Sequence, residues 1–361
     1  MMKHSVAVRI LALFLLFLPA VSAGQHSQAV EKATALIQKF LAETGTPGVA
    51  VSVGVKGHIV WSEGFGYADV EQRVPVWPAI TRFRIGSVAK PITAVAVAQL
   101  YEDGRLDLDA PIQQYVPSFP AKKKGTITTR LLAGHLAGIR HYRGAEFLSQ
   151  KHYATVVEGL VIFQNDTLLH PPGTKFSYSS YAWNLISAVV EAASGEEFLR
   201  YIDKHVFKAI GMTHTGADQI ASIIPNRTRY YVRQNGLLRN APPVDNSYKW
   251  AGGGFLSTSE DLIRFGFALL SSGLLKQETV HLLWTSQQTA SGEKTGYGIG
   301  WRSGTDEQQR HWVGHGGGSV GGTTFFRIYP DAQVVVAIIA NMSSVRYGDL
   351  PTKIVGLFMP E

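Results

Sequence analysis

The sequence predicts an α/β fold in which both chain ends build one antiparallel sheet, flanked by helices, with an all-α region inserted between them. Two observations support this fold class. Segments rich in β-branched and aromatic residues lie near both termini, and helical spacing of apolar residues dominates the middle, from about residue 106 to 283. Strands at both ends with helices between them favour a single sheet that the two ends complete.

The N-terminal part predicts a helix, a hairpin and a second helix. They lie at residues 28–43, 49–55 with 58–62, and 87–102. Gly45 and Pro47 end the first helix, and Lys56-Gly57 forms the hairpin turn. The glycine-rich residues 64–67 are interpreted as a connection.

The remaining elements follow the same rules. Helices are predicted at residues 129–136, 153–163, 181–193, 198–210 and 259–271. Strands and a closing helix are predicted at residues 298–301, 310–313, 323–329, 334–340 and 351–358. These elements predict a sheet domain from residues 24–105 and 284–361 and a helical domain from residues 106–283, integrated into one unit.

Residues 1–23 have the pattern of a secretory signal peptide. Lys3 and Arg9 precede an apolar run at residues 10–18, and small residues at 21–23 resemble a cleavage site. The apolar run is short for a membrane span. We therefore expect a periplasmic or extracellular protein, with membrane attachment only if the signal is not cleaved.

Composition limits the classes of partner. The chain has 34 Lys+Arg against 27 Asp+Glu, and this mild excess includes no long basic block beyond residues 122–124, so nucleic-acid binding has little support. There is no cysteine, so no disulfide or thiolate metal site can form. No metal or organic cofactor is implied.

Ser87 and Lys90 form a Ser-x-x-Lys pattern at the start of an apolar helix. Residues three apart share one helix face, so the amine can reach the hydroxyl. A lysine can act as the base for a serine only if burial or nearby positive charge favours its neutral form. The alternative is a serine that only caps the helix.

The same pattern recurs at Ser291 and Lys294. That segment is polar, and no helical run follows it. We interpret it as a loop, and Ser87 is the preferred nucleophile on its context.

An activated serine also needs a proton carrier and donors for an oxyanion. Tyr178 precedes the helix at 181–193 and is a candidate carrier, although a lone tyrosine is more often a packing residue. The glycine-rich segment 314–318 allows close approach of backbone N–H groups to a substrate carbonyl.

Two other motifs overlap that segment. Residues 317–321 match a nucleophile elbow around Ser319, but strands follow and no histidine occurs after His315, so that triad cannot be completed. Gly316, Gly318 and Gly321 match a dinucleotide fingerprint, but no helix or βαβ unit surrounds them. We reject both.

The ordered motifs resemble the superfamily of serine β-lactamases and penicillin-binding proteins, in the class C-like branch of S12-type peptidases, esterases and mitochondrial-type members. The matching blocks are residues 47–51, 64–69, 83–94, 131–142, 171–180, 252–257, 297–301 and 314–318. The block at 131–142 is most similar to the mitochondrial-type members. A β-lactamase/transpeptidase-like fold is therefore expected.

The resemblance implies a role for each motif residue. Ser87 would be the nucleophile, Lys90 its partner, and Tyr178 the tyrosine of the Tyr-x-Asn motif, with the N–H groups of Ser87 and Gly318 as oxyanion hole. Substrate-binding positions would be Ser180, His315, Gly316 and Gly317. His135 and His141 belong to a loop pattern and are interpreted as structural. The literal Lys-Thr-Gly at residues 294–296 precedes the strand that carries the family's third motif and is set aside.

Two departures from the family pattern concern the substrate. Ser180 stands where β-lactamases have an asparagine, and His315 stands where penicillin-recognising members have a lysine. Histidine is largely neutral at pH 7. Both changes weaken the case for β-lactam hydrolysis.

We therefore expect a secreted serine hydrolase that acts on short peptides or esters through an acyl-enzyme on Ser87. A β-lactamase or DD-peptidase that acts on β-lactams or cell-wall peptides is one alternative. A non-catalytic sensor or a self-assembling, filament-forming scaffold is another.

Overall fold

The computed structural model describes residues 26–360, so the signal sequence predicted at residues 1–23 lies outside the described residues. Its strands are β1 (Gly48–Val55), β2 (His58–Asp69), β3 (Val74–Pro75), β4 (Phe83–Arg84), β5 (Gly216–Ala217), β6 (Tyr231–Gln234), β7 (Leu237–Asn240), β8 (Phe255–Ser257), β9 (Arg302–Thr305), β10 (His311–Ser319), β11 (Gly322–Tyr329) and β12 (Val334–Ala340). Its α-helices are α1 (Ser27–Thr44), α2 (Ala89–Glu102), α3 (Thr129–Ala133), α4 (Ser180–Ser194), α5 (Phe198–Ile202), α6 (Trp250–Gly253), α7 (Ser259–Leu270), α8 (Gln277–Trp284) and α9 (Leu350–Phe358).

One antiparallel sheet, in the order β3-β2-β1-β12-β11-β10-β9, organises the described residues. The N-terminal β1 pairs along its length with the C-terminal β12, from Val49 opposite Ala340 to Val55 opposite Val334. β12 is a continuous apolar run, β1 is interrupted only by Ser52, and every residue in both strands is buried. The prediction of one antiparallel sheet built from both chain ends is confirmed.

Helices cover the two faces of the sheet. Alternate residues of β1 and β12 pack in one core with α1 and α9, and the remaining residues face a second core that contains α2 and α7. The second core is the larger, and α2 lies inside it with most of its residues buried. A helix that is apolar on all sides is expected to be buried in this way.

Two predictions in the sheet region differ from the structure. Residues 64–67 belong to β2, because Phe65 pairs with Val49 and the ladder continues past the glycines. Residues 298–301 form a turn, in which the Gly298 N–H donates to the Trp301 carbonyl at 2.7 Å, and β9 begins only at Arg302. Trp301 is fully buried in the core, so its side chain packs without a strand.

The segment between the two halves of the sheet contains helices and also four short strands. These strands, β5 to β8, lie in a hairpin and a small three-stranded sheet, so the predicted all-α region is not wholly helical. Residues 153–163, predicted as a helix, contain only a 3-10 turn at Glu158–Ile162. The boundaries at residues 106 and 283 stay a prediction. None of the helices within residues 26–360 is both long and apolar enough to cross a membrane.

Candidate active site

Ser87 lies on a 3-10 turn, Gly86–Val88, that leads directly into α2. β9 pairs with β10 only over residues 311–314, so the edge of β10 beyond residue 314 is open on that side. The turn packs against this end of β10. Two glycines allow the approach. Gly86 has a φ of 52°, and a Cβ on it would lie 2.7 Å from the Gly318 carbonyl oxygen; a Cβ on Gly317 would lie 1.9 Å from the Ile85 carbonyl oxygen. The approach brings the Gly318 backbone next to the turn that carries Ser87.

Lys90 is fully buried one turn after Ser87. Its Nζ donates to Ser87 Oγ at 3.0 Å, to Ser180 Oγ at 3.1 Å and to the Gly252 carbonyl at 2.6 Å. Burial, and secondly the positive charge of Arg302, hold the pKa of Lys90 well below its ordinary value. The amine can therefore be neutral near neutral pH, as a base for Ser87 must be.

Tyr178 approaches Ser87 from the opposite direction. Its hydroxyl donates to Ser87 Oγ at 2.9 Å. Burial raises the pKa of Tyr178 to about 12, partly offset by the hydrogen bond to Ser87, so the phenol keeps its proton. Because Tyr178 supplies a hydrogen to Ser87 Oγ, the hydroxyl hydrogen of Ser87 is free to point toward a neutral Lys90.

His135 and His141 hold the segment that carries Tyr178. The His135 Nδ1 accepts from the Ser179 N–H, and the His141 Nδ1 accepts from the Ser180 N–H, both at 3.1 Å. The His135 ring also lies 4.2 Å from the Tyr178 ring, centroid to centroid. Burial is the main cause that lowers the pKa of His141, to about 4, so its ring is neutral and can accept this bond. Both rings thus brace the backbone beside Ser87.

The predicted substrate-binding residues do not all reach the same place. Ser180 contacts Lys90 and lines the cavity in front of Ser87 together with Gly318, whereas His315, Gly316 and Gly317 are not among the described residues that line it. Their predicted role in substrate binding stays a prediction.

The two ring nitrogens of His315 already have partners. Nδ1 lies 2.6 Å from the Gly316 carbonyl oxygen, which only accepts, so Nδ1 carries the hydrogen and Nε2 accepts from the Tyr297 hydroxyl at 2.9 Å. Burial, followed by the charge of Lys90, lowers the pKa of His315 to about 3. His315 is therefore a neutral, buried residue of the wall behind Tyr178.

The cavity in front of Ser87 has a volume of about 460 Å³. Its lining residues are Ser87, His141, Tyr142, Phe147, Tyr178, Ser180, Lys249, Gly252, Gly253, Gly318, Ser319, Thr323, Ser343 and Ser344. A larger cavity, of about 870 Å³, lies between Tyr115, Glu191 and Trp250 and contains none of the Ser87 group. We place the candidate site at the smaller cavity, because Ser87, Tyr178 and Ser180 line it.

The rejected motifs have no such surroundings. Ser291 Oγ shares a hydrogen bond with Thr289 Oγ1 in an exposed loop that also carries Lys294. Ser319 Oγ donates to the Gly322 carbonyl and is followed by β11 rather than by a helix. No group of three or more histidine, aspartate or glutamate side chains in the described part of the chain is arranged to hold a metal ion.

Sequence reasoning missed three residues beside the nucleophile. Gly252 supplies the carbonyl that binds Lys90, Tyr297 binds His315, and Lys249 lines the cavity. Gly252 and Tyr297 lie in the blocks that carried the resemblance, so their position in those motifs was the available signal. No pattern in the sequence around Lys249 indicates that it lines the cavity.

A partly exposed serine bonded to a buried lysine and to a tyrosine, at the edge of an antiparallel sheet covered by helices, defines a serine hydrolase of the β-lactamase fold. The model of the β-lactamase family matches residues 33–352, and the chain belongs to this family of serine hydrolases.

Three known proteins show how far the similarity extends. The mitochondrial serine beta-lactamase-like protein LACTB of Homo sapiens is 35% identical, over 91% of this chain and 79% of its own. The putative penicillin-binding protein PbpX of Bacillus subtilis is 27% identical, over 90% of this chain and 78% of its own. The octameric penicillin-binding protein homologue from Pyrococcus abyssi superposes with a TM-score of 0.75 at 27% identity, over 87% of this chain and 74% of its own.

Proposed function

We propose that the chain is a secreted serine hydrolase that cleaves short peptides or esters through an acyl-enzyme on Ser87. The observation that carries the proposal is the double contact on one atom. Ser87 Oγ is within 3.0 Å of Lys90 Nζ and 2.9 Å of the Tyr178 hydroxyl. A serine used only to cap a helix needs neither a buried lysine nor a tyrosine on its hydroxyl.

In the acylation step, Ser87 Oγ attacks the substrate carbonyl carbon while its proton passes to Lys90 Nζ. The oxyanion that forms is held by the N–H groups of Ser87 and Gly318. The bond to the leaving group then breaks, and Tyr178 gives its proton to the departing nitrogen or oxygen. The proton held by Lys90 restores Tyr178, so protons balance at the end of the step.

In the deacylation step, water takes the place of the leaving group. Lys90 accepts the proton of the attacking water, the bond between the acyl carbon and Ser87 Oγ breaks, and the proton on Lys90 passes to Ser87 Oγ, while Tyr178 keeps its own proton. The neutral state of Lys90 is needed in both steps, because an ammonium group cannot accept a proton.

The position at which penicillin-recognising members bind a β-lactam carboxylate does not favour β-lactams in this chain. A β-lactam carries a carboxylate that penicillin-recognising members bind with a charged lysine, whereas His315 is neutral and already bonded to Tyr297 and Gly316. Export rests on residues 1–23 alone.

The test is covalent labelling with a fluorophosphonate probe, followed by intact mass and peptide mapping. We expect one adduct, on Ser87, and loss of both the adduct and 4-nitrophenyl ester turnover in Ser87→Ala. The matched control is Ser291→Ala, which removes the serine of the second Ser-x-x-Lys match and is expected to label normally. An adduct on Ser319, or turnover retained in Ser87→Ala, would refute the proposal.

A further inference from the structure

Lys249 is a buried lysine in the wall of the Ser87 cavity. It lies at the junction of a 3-10 turn, Ser247–Lys249, with α6, and only 2% of its surface is exposed. The same helix carries Gly252, whose carbonyl accepts from Lys90. One short element therefore fixes both the base of the site and a second lysine that faces the same cavity.

Aromatic rings, not anions, surround the Lys249 ammonium group. Its Nζ lies 4.4 Å from the ring centroid of Phe147, 5.1 Å from that of Tyr248 and 5.7 Å from that of Tyr142. Among residues 26–360, no carboxylate lies within 4 Å of this Nζ, and no side-chain or backbone atom accepts a hydrogen bond from it. Phe147 and Tyr142 line the cavity with it.

The nearby cation Arg84 has an ion-pair partner, which Lys249 lacks among the described residues. Arg84 is buried as well, but its Nε donates to Asp218 Oδ2 at 2.6 Å and it stacks 3.7 Å from the Tyr230 ring centroid. Buried charges in proteins are normally paired in this manner, because an unpaired one keeps the full cost of leaving water. Cation–π contacts offset only part of that cost.

The pKa of Lys249 agrees with the lack of an ion-pair partner among the described residues. Burial, and then the positive charge of Arg84, lower the pKa of Lys249 to about 7, while Asp218 opposes them and Lys90 lowers it further. An anion that enters the cavity would favour the protonated form and raise this pKa again.

We infer that Lys249 is the anion subsite of this active site, and that the preferred substrates carry a carboxylate which Lys249 Nζ binds while Ser87 attacks the carbonyl. The inference rests on the proposed function of Ser87. It identifies the substrate class as one that carries a carboxylate, which a neutral His315 cannot attract by charge. The rings of Tyr142 and Phe147 exclude water from the ion pair and thereby strengthen it.

The test compares two 4-nitrophenyl esters that have the same number of acyl carbons, the hydrogen adipate and the hexanoate. In Lys249→Met, which keeps the length of the aliphatic chain, we expect the ratio of kcat/KM for adipate over hexanoate to fall at least tenfold, mainly through KM. Lys249→Arg keeps the charge and is expected to retain part of the preference. Lys353→Met makes the same substitution on an exposed lysine of α9 and is expected to change neither ester.

A second pair of substrates covers the other side of the scissile bond. In 3-(hexanoyloxy)benzoate the carboxylate lies in the leaving group, and phenyl hexanoate is its neutral counterpart. A tenfold fall of either ratio in Lys249→Met supports the subsite. Both ratios unchanged, or equal losses on charged and neutral esters, would overturn it.

Wild-type pH profiles give a readout that does not depend on any variant. The ratio for the charged over the neutral ester is expected to fall above about pH 7, as free Lys249 loses its proton. The other ionisable groups that act on or near Lys249 are Arg84, Asp218, Lys90, His141, Tyr142 and Tyr248. The titration of these groups cancels in the ratio of kcat/KM where it affects both esters equally. A ratio flat from pH 6 to 9 would contradict the subsite.

Fluorophosphonate labelling separates the two hypotheses. If wild-type Ser87 does not label, the proposed function fails and the subsite fails with it. If Ser87 labels in wild type and in Lys249→Met but neither ester ratio changes, the proposed function stands and only the anion subsite is overturned.

Discussion

The cavity has two walls: Ser87, with the buried Lys90 behind it, belongs to one, and the buried Lys249 lines the other. The two lysines differ in their partners. Lys90 gives hydrogen bonds to Ser87, Ser180 and the Gly252 carbonyl. Lys249 has three aromatic rings around it and no hydrogen-bond acceptor among the described residues. The amine held in place by short bonds suits proton transfer to a neighbour whose position is fixed. The amine left without a partner suits a ligand that brings its own negative charge.

Desolvation acts on both lysines, yet its use differs. Burial is the main cause that lowers each pKa. At Lys90 the lowered pKa supplies a neutral base. At Lys249 the lowered pKa reflects the cost of burying a cation that has no ion-pair partner among the described residues. The following variants test whether this division between the two walls is real.

Lys90→Met is expected to have the largest effect. Removal of the base leaves Ser87 with its proton, so kcat/KM for 4-nitrophenyl hexanoate should fall on the order of 10⁴-fold or more. Steady-state kinetics and the rate of fluorophosphonate labelling measure this loss. The control Lys353→Met should behave as wild type, and a Lys90→Met enzyme that labels at the normal rate would show that another group activates Ser87.

Tyr178→Phe comes next, and its effect should depend on the leaving group. Proton donation matters for an amide nitrogen, which leaves poorly, and little for 4-nitrophenolate, which leaves unaided. We expect kcat to fall by about 10² to 10⁴ for a peptide amide and by much less for the nitrophenyl ester. A loss of equal size on both substrates would mean that Tyr178 positions Ser87 rather than donating a proton.

The first wall could be predicted from sequence because its chemistry is partly local. Ser87 and Lys90 are three residues apart on one helix, so the pattern itself puts the amine near the hydroxyl. Tyr178 is 91 residues from Ser87, and only the order of motifs linked them. The paired strands near the two ends could also be predicted, because β12 is a continuous apolar run and β1 is interrupted only by Ser52.

The second wall could not be predicted, because the burial of Lys249 is a tertiary property. Its rings come from Tyr142 and Phe147, about 100 residues earlier, and from its own neighbour Tyr248. The surroundings of His315 could not be predicted for a similar reason. A motif position indicates which residue replaces a lysine, but only the fold shows that Tyr297 and Gly316 take both ring nitrogens.

Conformational stability gives the smallest of the expected effects, and it compares the two lysines directly. Replacing a buried ion pair by apolar residues of similar volume is often neutral or stabilises a protein by about 1–4 kcal/mol, and an unpaired buried cation has no attraction to a partner to lose. We therefore expect Lys249→Met to raise the free energy of unfolding near pH 6, measured by urea denaturation. Lys90→Met should gain less, because it leaves the Gly252 carbonyl and the Ser180 hydroxyl without their donor.

The pH dependence of this gain has a definite sign. The pKa of Lys249 is about 7 in the folded protein and near 10.5 in the unfolded chain, so between these values the unfolded chain binds more protons. Wild-type stability due to this group is then fully present above about pH 10.5 and is lost as pH falls toward 7. The advantage of Lys249→Met should accordingly be greatest at pH 6 and shrink toward pH 9. If the difference in free energy of unfolding between Lys249→Met and wild type does not change with pH, the stabilisation comes from packing and Lys249 does not carry an unpaired charge.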